Sequence, residues 1–72
     1  MRIISQSGNV DLNYDNCAIV INDNHIEART TTHTYLMAKY SGCGVAEMMA
    51  TKMLMAYKDD YAYFQFPSEP GV

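Results

Sequence analysis

Three short apolar-rich runs occupy the first half of the chain, and after them the period of the pattern lengthens. Cys17-Ala18-Ile19-Val20-Ile21 is apolar without interruption. Such a run predicts a strand covered on both faces, and so a central one. Asn22-Asp23-Asn24 comes next, and Asn and Asp tolerate the positive φ of a tight hairpin. In the returning strand, 25–30, Ile26 and Ala28 alternate with Glu27 and Arg29, which predicts one buried and one wet face. Thr31-Thr32 marks a second turn. The next strand, 33–40, places Leu36 and Ala38 on one face and Tyr35, Met37 and Lys39 on the other. Residues 17–40 therefore predict a three-stranded antiparallel meander.

Ser41-Gly42-Cys43-Gly44 interrupts the strands, with Ser41 or a neighbour placed to cap a helix. Residues 45–58 are rich in good helix formers and contain no Gly or Pro. Ala46, Met49, Ala50, Met53 and Tyr57 recur at spacings of three and four, which predicts a core-facing stripe, with Glu47, Thr51 and Lys58 opposite. Asp59-Asp60 ends the helix.

The flanks are shorter signals. Residues 1–6 predict a strand on Ile3 and Ile4, closed by a turn at Ser7-Gly8-Asn9. Residues 11–16 are polar and irregular, anchored by Leu12 and Tyr14. Alternation over 61–66 predicts a last strand, with Tyr61 and Tyr63 on one face and Phe64 and Phe66 on the core face. Pro67 closes it, and 67–72 is expected to fray. The sum is a single α+β domain over 1–72: an antiparallel sheet of four to five strands with one helix, about 45–58, packed on one face. One helix covers one face of a sheet, so the other face is solvated or meets a partner.

Composition narrows the function. A 72-residue domain buries only about 60% of its unfolded surface, and small domains gain stability from disulfides, metals or self-association. Five Lys and Arg against eight Asp and Glu leave a net charge of −3. That balance argues against direct nucleic-acid binding, which needs clustered cations, and is too mild for a DNA mimic. The N-terminus lacks the apolar stretch of a signal peptide, and no run approaches the roughly 18 apolar residues of a membrane span. A cytoplasmic protein with reduced thiols is expected, with no membrane partner. Cys17 and Cys43 are then small buried hydrophobes.

No constellation announces chemistry. His25, His33, Cys17 and Cys43 are zinc ligands by type, but no CxxC or HxxxH spacing joins them. Both histidines stand beside turns, where exposed histidines are common. Cys43 lies between two glycines ahead of a helix, a place that can activate a thiol, yet no third group is marked to orient a Cys-His pair, and a loop thiol is the simpler reading. Gly42-Cys43-Gly44 lacks the spacing and the Lys of a phosphate loop. The expectation is a protein that is not an enzyme and takes no metal or cofactor.

What remains is surface. Met48 and Met55 stand two helical turns apart on the flank away from the core stripe, and with Thr51 and Lys52 they form an apolar stripe suited to a protein partner. A widened core contact is the plain alternative. Tyr61 and Tyr63, beside Asp59 and Asp60, are a second candidate, since Tyr is enriched in interfaces. A structural cross-strand pair is the ordinary alternative there. The expected partner-binding residues are thus Met48, Thr51, Lys52, Met55, Asp59, Asp60, Tyr61 and Tyr63.

Several stretches taken together resemble a family of small uncharacterised proteins from prophages and mobile elements of Gram-positive bacteria. They are Met1-Arg2-Ile3-Ile4-Ser5-Gln6 with Asp11 and Tyr14, Ala38-Lys39-Tyr40-Ser41, the 46–57 helix with Met53-Leu54 and Ala56-Tyr57, and Phe64-Gln65-Phe66-Pro67. The resemblance touches both ends and the helix, although many relatives carry a longer insert between helix and last strand. No shared activity comes with it, so no residue inherits a role. It implies a context in which small proteins without catalytic motifs inhibit host defence, anti-CRISPR proteins among them. The leading expectation is a non-catalytic inhibitor from a phage or mobile element that binds a host-defence effector, in its sharpest form an anti-CRISPR protein blocking a Cas9-type effector. Two alternatives stand beside it: a sponge that sequesters a nucleotide signal, and a homo-oligomeric structural protein, a homodimer being its simplest form.

Overall fold

A computed structural model describes residues 1–69 and arranges two small sheets around one helix. The elements in chain order are β1 (Arg2–Ile4), β2 (Asp11–Asn13), a 3-10 turn (Tyr14–Asn16), β3 (Ala18–Asn22), β4 (His25–Arg29), β5 (Thr34–Lys39), α1 (Cys43–Lys58) and β6 (Tyr63–Gln65). The first sheet has the order β2-β1-β6 and the second β3-β4-β5.

The class is α+β, and the meander is present as β3-β4-β5, but a single sheet of four to five strands is not what forms. Two three-stranded sheets take its place. β1 pairs antiparallel with β2, Ile3 facing Leu12, and parallel with β6, Ile3 facing Phe64. β2 has a single inward apolar residue, Leu12, too few to show a period. It lies in the stretch expected to be irregular.

Within the meander, β3 is an edge strand and not the expected central one. The segment before it pairs with β1 instead of adding to the second sheet, so β3 has only β4 beside it. Ile21 is left 39% exposed.

The face assignment of β5 also needs correction. Ile26 pairs with Ala38 and Glu27 with Leu36, so Met37 is the extra residue of a β-bulge. Past a bulge the side-chain alternation shifts phase. Met37 and Ala38 are therefore both buried, at 1% and 2% exposure, and Leu36 stands 56% exposed on the outer face.

The helix begins at Cys43, two residues earlier than its pattern predicts, with Gly42 as an N-cap that makes no side-chain capping bond. Ser41 is not the cap: its hydroxyl and its N–H both donate to the Glu69 carboxylate, at 2.6 and 2.7 Å. Ala46, Met49, Ala50 and Met53 are buried as their spacing requires, and Ala56 completes the stripe. Tyr57, expected in the core, is 45% exposed and packs edge-on against the Tyr14 ring, 4.8 Å between centroids. It lies over the 3-10 turn at the border of the stripe, outside the buried cluster.

The helix packs on β3, β4 and β6, so one core serves both sheets. Its largest fully buried side chains are Phe66, Ile3, Ile26, Met37, Met49 and Met53. Within the expected tail, Pro67 and Glu69 make hydrogen bonds to the body of the domain. The Pro67 carbonyl accepts from Gln6 Nε2 and from the Tyr40 hydroxyl, and Glu69 holds Ser41. Residues 70–72, the remainder of that expected tail, lie outside the described residues.

Candidate functional site

The C-terminal end of α1 carries the most distinctive surface of the expected binding residues. Asp59 is the C-cap, and its N–H bonds back to the Met55 carbonyl at 3.0 Å. Asp60 then takes a left-handed backbone, φ 60°. Its N–H reaches the Tyr57 carbonyl at 3.1 Å, and the Tyr61 N–H reaches the Ala56 carbonyl at 3.0 Å. This pair of bonds is a Schellman ending, in which the residue after the cap must adopt positive φ. The motif turns the chain sharply and lays Tyr61 back beside the last turn of the helix.

A groove of about 260 Å³ results, lined by Lys52, Met55, Ala56, Asp59, Tyr61 and Phe64. Four residues expected to bind a partner, Lys52, Met55, Asp59 and Tyr61, thus share one hollow. Met55 and Tyr61 are 60% and 59% exposed. Lys52 and Asp59 put opposite charges on the rim, and neither enters an ion pair among the described residues. Phe64 supplies an apolar floor and stacks edge-on against the buried Phe66, 5.2 Å between centroids.

The other expected residues lie outside the groove. Met48 is exposed two turns up the helix. The Thr51 hydroxyl donates to the Glu47 carbonyl of its own helix at 2.9 Å. Asp60 is engaged by its backbone in the helix ending. Tyr63 lies on β6, exposed but not lining the hollow, whereas Tyr61 precedes the strand and sides with Phe64. The two tyrosines therefore do not form one cluster.

A second groove, about 350 Å³, runs between β3 and α1 and is lined by Tyr14, Cys17, Ala18, Ile19, Ile21, Ala50, Met53 and Leu54. Leu54 is 53% exposed. This apolar surface was not legible from spacing alone. Leu54 looks like one more residue of a Met-rich helix, and Ile21 reads as core until β3 is known to be an edge.

The ionisable groups show where chemistry is and is not prepared. Partial burial, with Asp15 nearby, pushes the Cys17 thiol up and so away from the thiolate, and its Sγ faces the Asn13 and Tyr14 carbonyls. Cys43 is exposed at the first position of the helix, not a buried hydrophobe. His25 Nε2 lies 3.1 Å from Glu27, which Arg29 also approaches at 3.2 Å, on the outer face of the second sheet. Arg2 and Asp11 pair across β1 and β2, holding the Asp11 carboxyl below its ordinary range. Among the described residues no three His, Cys, Asp or Glu gather as a metal site, and no helix is long and apolar enough to cross a membrane. No protein-family model, curated protein or solved structure matches the chain.

Proposed function

We propose that this chain is a non-catalytic binding protein, carried by a phage or mobile element, that inhibits a host-defence effector in the bacterial cytoplasm. Its sharpest form is an anti-CRISPR protein acting on a Cas9-type effector. The observation that supports this reading is the groove at the end of α1, where exposed Met55 and Tyr61 meet over Phe64 between the free charges of Lys52 and Asp59. An apolar centre with a charged rim is the anatomy of a protein-binding patch. Methionine adapts its shape to a partner, and tyrosine brings a large contact area at small entropic cost. Met48 extends the same flank along the helix.

The test is affinity capture with tagged protein from a lysate that carries CRISPR effectors, read by mass spectrometry. Stoichiometric recovery of one large effector is the expected result. The double variants Met48→Glu with Met55→Glu, and Tyr61→Ala with Tyr63→Ala, are expected to abolish it. Recovery of the bait alone, or capture unchanged by both variants, overturns the reading.

A further inference from the structure

The free edge of β3 is built without any of the features that protect sheet edges. Ala18-Ile19-Val20-Ile21 contains no charge and no Pro, and its register with β4 runs without a shift. Proteins blunt such edges with Lys, Pro or a bulge, because an open apolar edge is a template for another strand. Here the bulge is on the opposite side of the sheet, between β4 and β5.

The register shows which groups the edge offers. Asn22 pairs with His25 across the two-residue turn Asp23-Asn24 and closes the hairpin. Pairs alternate along an antiparallel ladder, so Ala18, Val20 and Asn22 turn their backbone groups to β4. Ile19 and Ile21 turn theirs outward. Among the described residues no hydrogen bond from another part of the chain reaches them. Outward N–H and C=O groups at this spacing are met by water or, as a complete row, by another extended strand.

We propose that the occupant is a second copy of this chain, with β3 paired antiparallel to β3 about a two-fold axis at Val20. The strand is complementary to itself in this register. Ile19 of each copy faces Ile21 of the other, so the outward N–H and C=O groups of both are matched. Val20 faces Val20, and Ala18 faces Asn22. No charged side chain lies in the seam. The apolar rows of each sheet, Ile26-Ile21 and Ala28-Ile19, run on into those of the second copy on one continuous face. The axis stands perpendicular to the sheet, so both helices lie on the same side, and the exposed Ile21 and Leu54 sit beside the seam. The net charge of −3 on each copy is screened over about 8 Å at physiological salt, too short a range to oppose an uncharged contact. Self-association is also one of the ways in which a domain this small gains stability.

The experiment combines sedimentation equilibrium with residue-resolved amide exchange on the wild-type chain across a concentration series. A dimer is expected at high micromolar concentration. In it, the Ile19 and Ile21 amides exchange slowly, and they lose that protection on dilution to monomer. The Val20 amide, bonded within the hairpin, stays protected throughout. Val20→Lys sets like charges opposite each other across the axis while facing its own cross-strand neighbour Glu27 with the opposite charge, and the mass is expected to fall to that of the monomer with an unchanged circular-dichroism spectrum. Met48→Glu with Met55→Glu leaves the dimer intact, which separates this surface from the groove at the helix end. A strictly monomeric wild-type chain overturns the proposal. So does a dimer whose Ile19 and Ile21 amides exchange at the monomer's rate.

Discussion

The backbone N–H of Gln6 donates to the carbonyl of Met37 at 2.7 Å, and this bond joins the two sheets at the residue the bulge sets apart. The Gln6 side chain extends the junction. Its Oε1 accepts from the Lys39 N–H at 3.1 Å, and its Nε2 donates to the Pro67 carbonyl at 3.2 Å. Gln6, two residues beyond β1, thus bridges β5 and the C-terminal segment.

Gln6→Ala leaves the main-chain bond and removes both side-chain bonds. The site is partly open to water, which can replace the lost partners, so a loss of about 1 kcal/mol is expected. Urea denaturation of the two proteins measures it. A midpoint unchanged by Gln6→Ala would show that the junction rests on the backbone alone.

The contrast between meander and first sheet explains what the sequence made legible. The hairpin at Asp23-Asn24 and the alternation of Ile26 and Ala28 are local, and both appear as the residues dictate. The helix face is local too, apart from Tyr57. The pairing of β1 with β6 joins the two ends of the chain over three residues each, and no periodicity encodes it. The edge position of β3 is likewise decided elsewhere, by β2 taking β1 as its partner. The groove was half legible. The helix pattern marked Met55 and Lys52 as outward-facing, but Phe64 joins them only because the Schellman ending folds Tyr61 and β6 back onto α1.

That ending carries a removable strain. Asp60 occupies a position where φ is positive and where Gly is the usual residue. Its carboxylate also stands at the negative end of the helix dipole. Asp60→Gly relieves about 1–2 kcal/mol of left-handed strain and gives back about 0.5–1 kcal/mol in the extra freedom of the unfolded glycine, so a net gain of about 0.5–1 kcal/mol is expected. A thermal melt measures it, and a lowered midpoint would mean that the Asp60 side chain makes a stabilising contact.

Acid should loosen the C-terminal segment. The Ser41 hydroxyl, and then the Ser41 N–H, hold the Glu69 carboxyl below its ordinary range. Asp11 beside Arg2 is lowered in the same way. A carboxyl depressed by folding binds its proton more tightly in the unfolded chain, so its contribution is complete above the ordinary carboxylate value. It is lost as the pH falls through the depressed one. The melting temperature is therefore expected to decline below about pH 4.3, the ordinary Glu value. Glu69→Gln should make that decline shallower. Parallel slopes for the two proteins would mean that the Ser41 contact is not held in solution.

Two methionines two residues apart give the sharpest separation of core from surface. Met53 is 2% exposed between the helix and the second sheet, and Met55 is 60% exposed on the rim of the groove. Truncating a buried methionine loses transfer energy and leaves a cavity, so Met53→Ala is expected to cost about 2–5 kcal/mol. That is a large share of the total stability of a domain this small, and a substantial unfolded fraction should be visible at room temperature. Met55→Ala removes contacts with solvent and a shallow rim, so its stability should stay within about 0.5 kcal/mol of wild type. Urea denaturation of both variants, with capture of the partner measured beside it, separates the roles. Lost capture in a fully folded Met55→Ala protein ties binding to the groove. Lost stability in that variant would instead make Met55 a structural residue, and the binding surface would have to be sought elsewhere on the molecule.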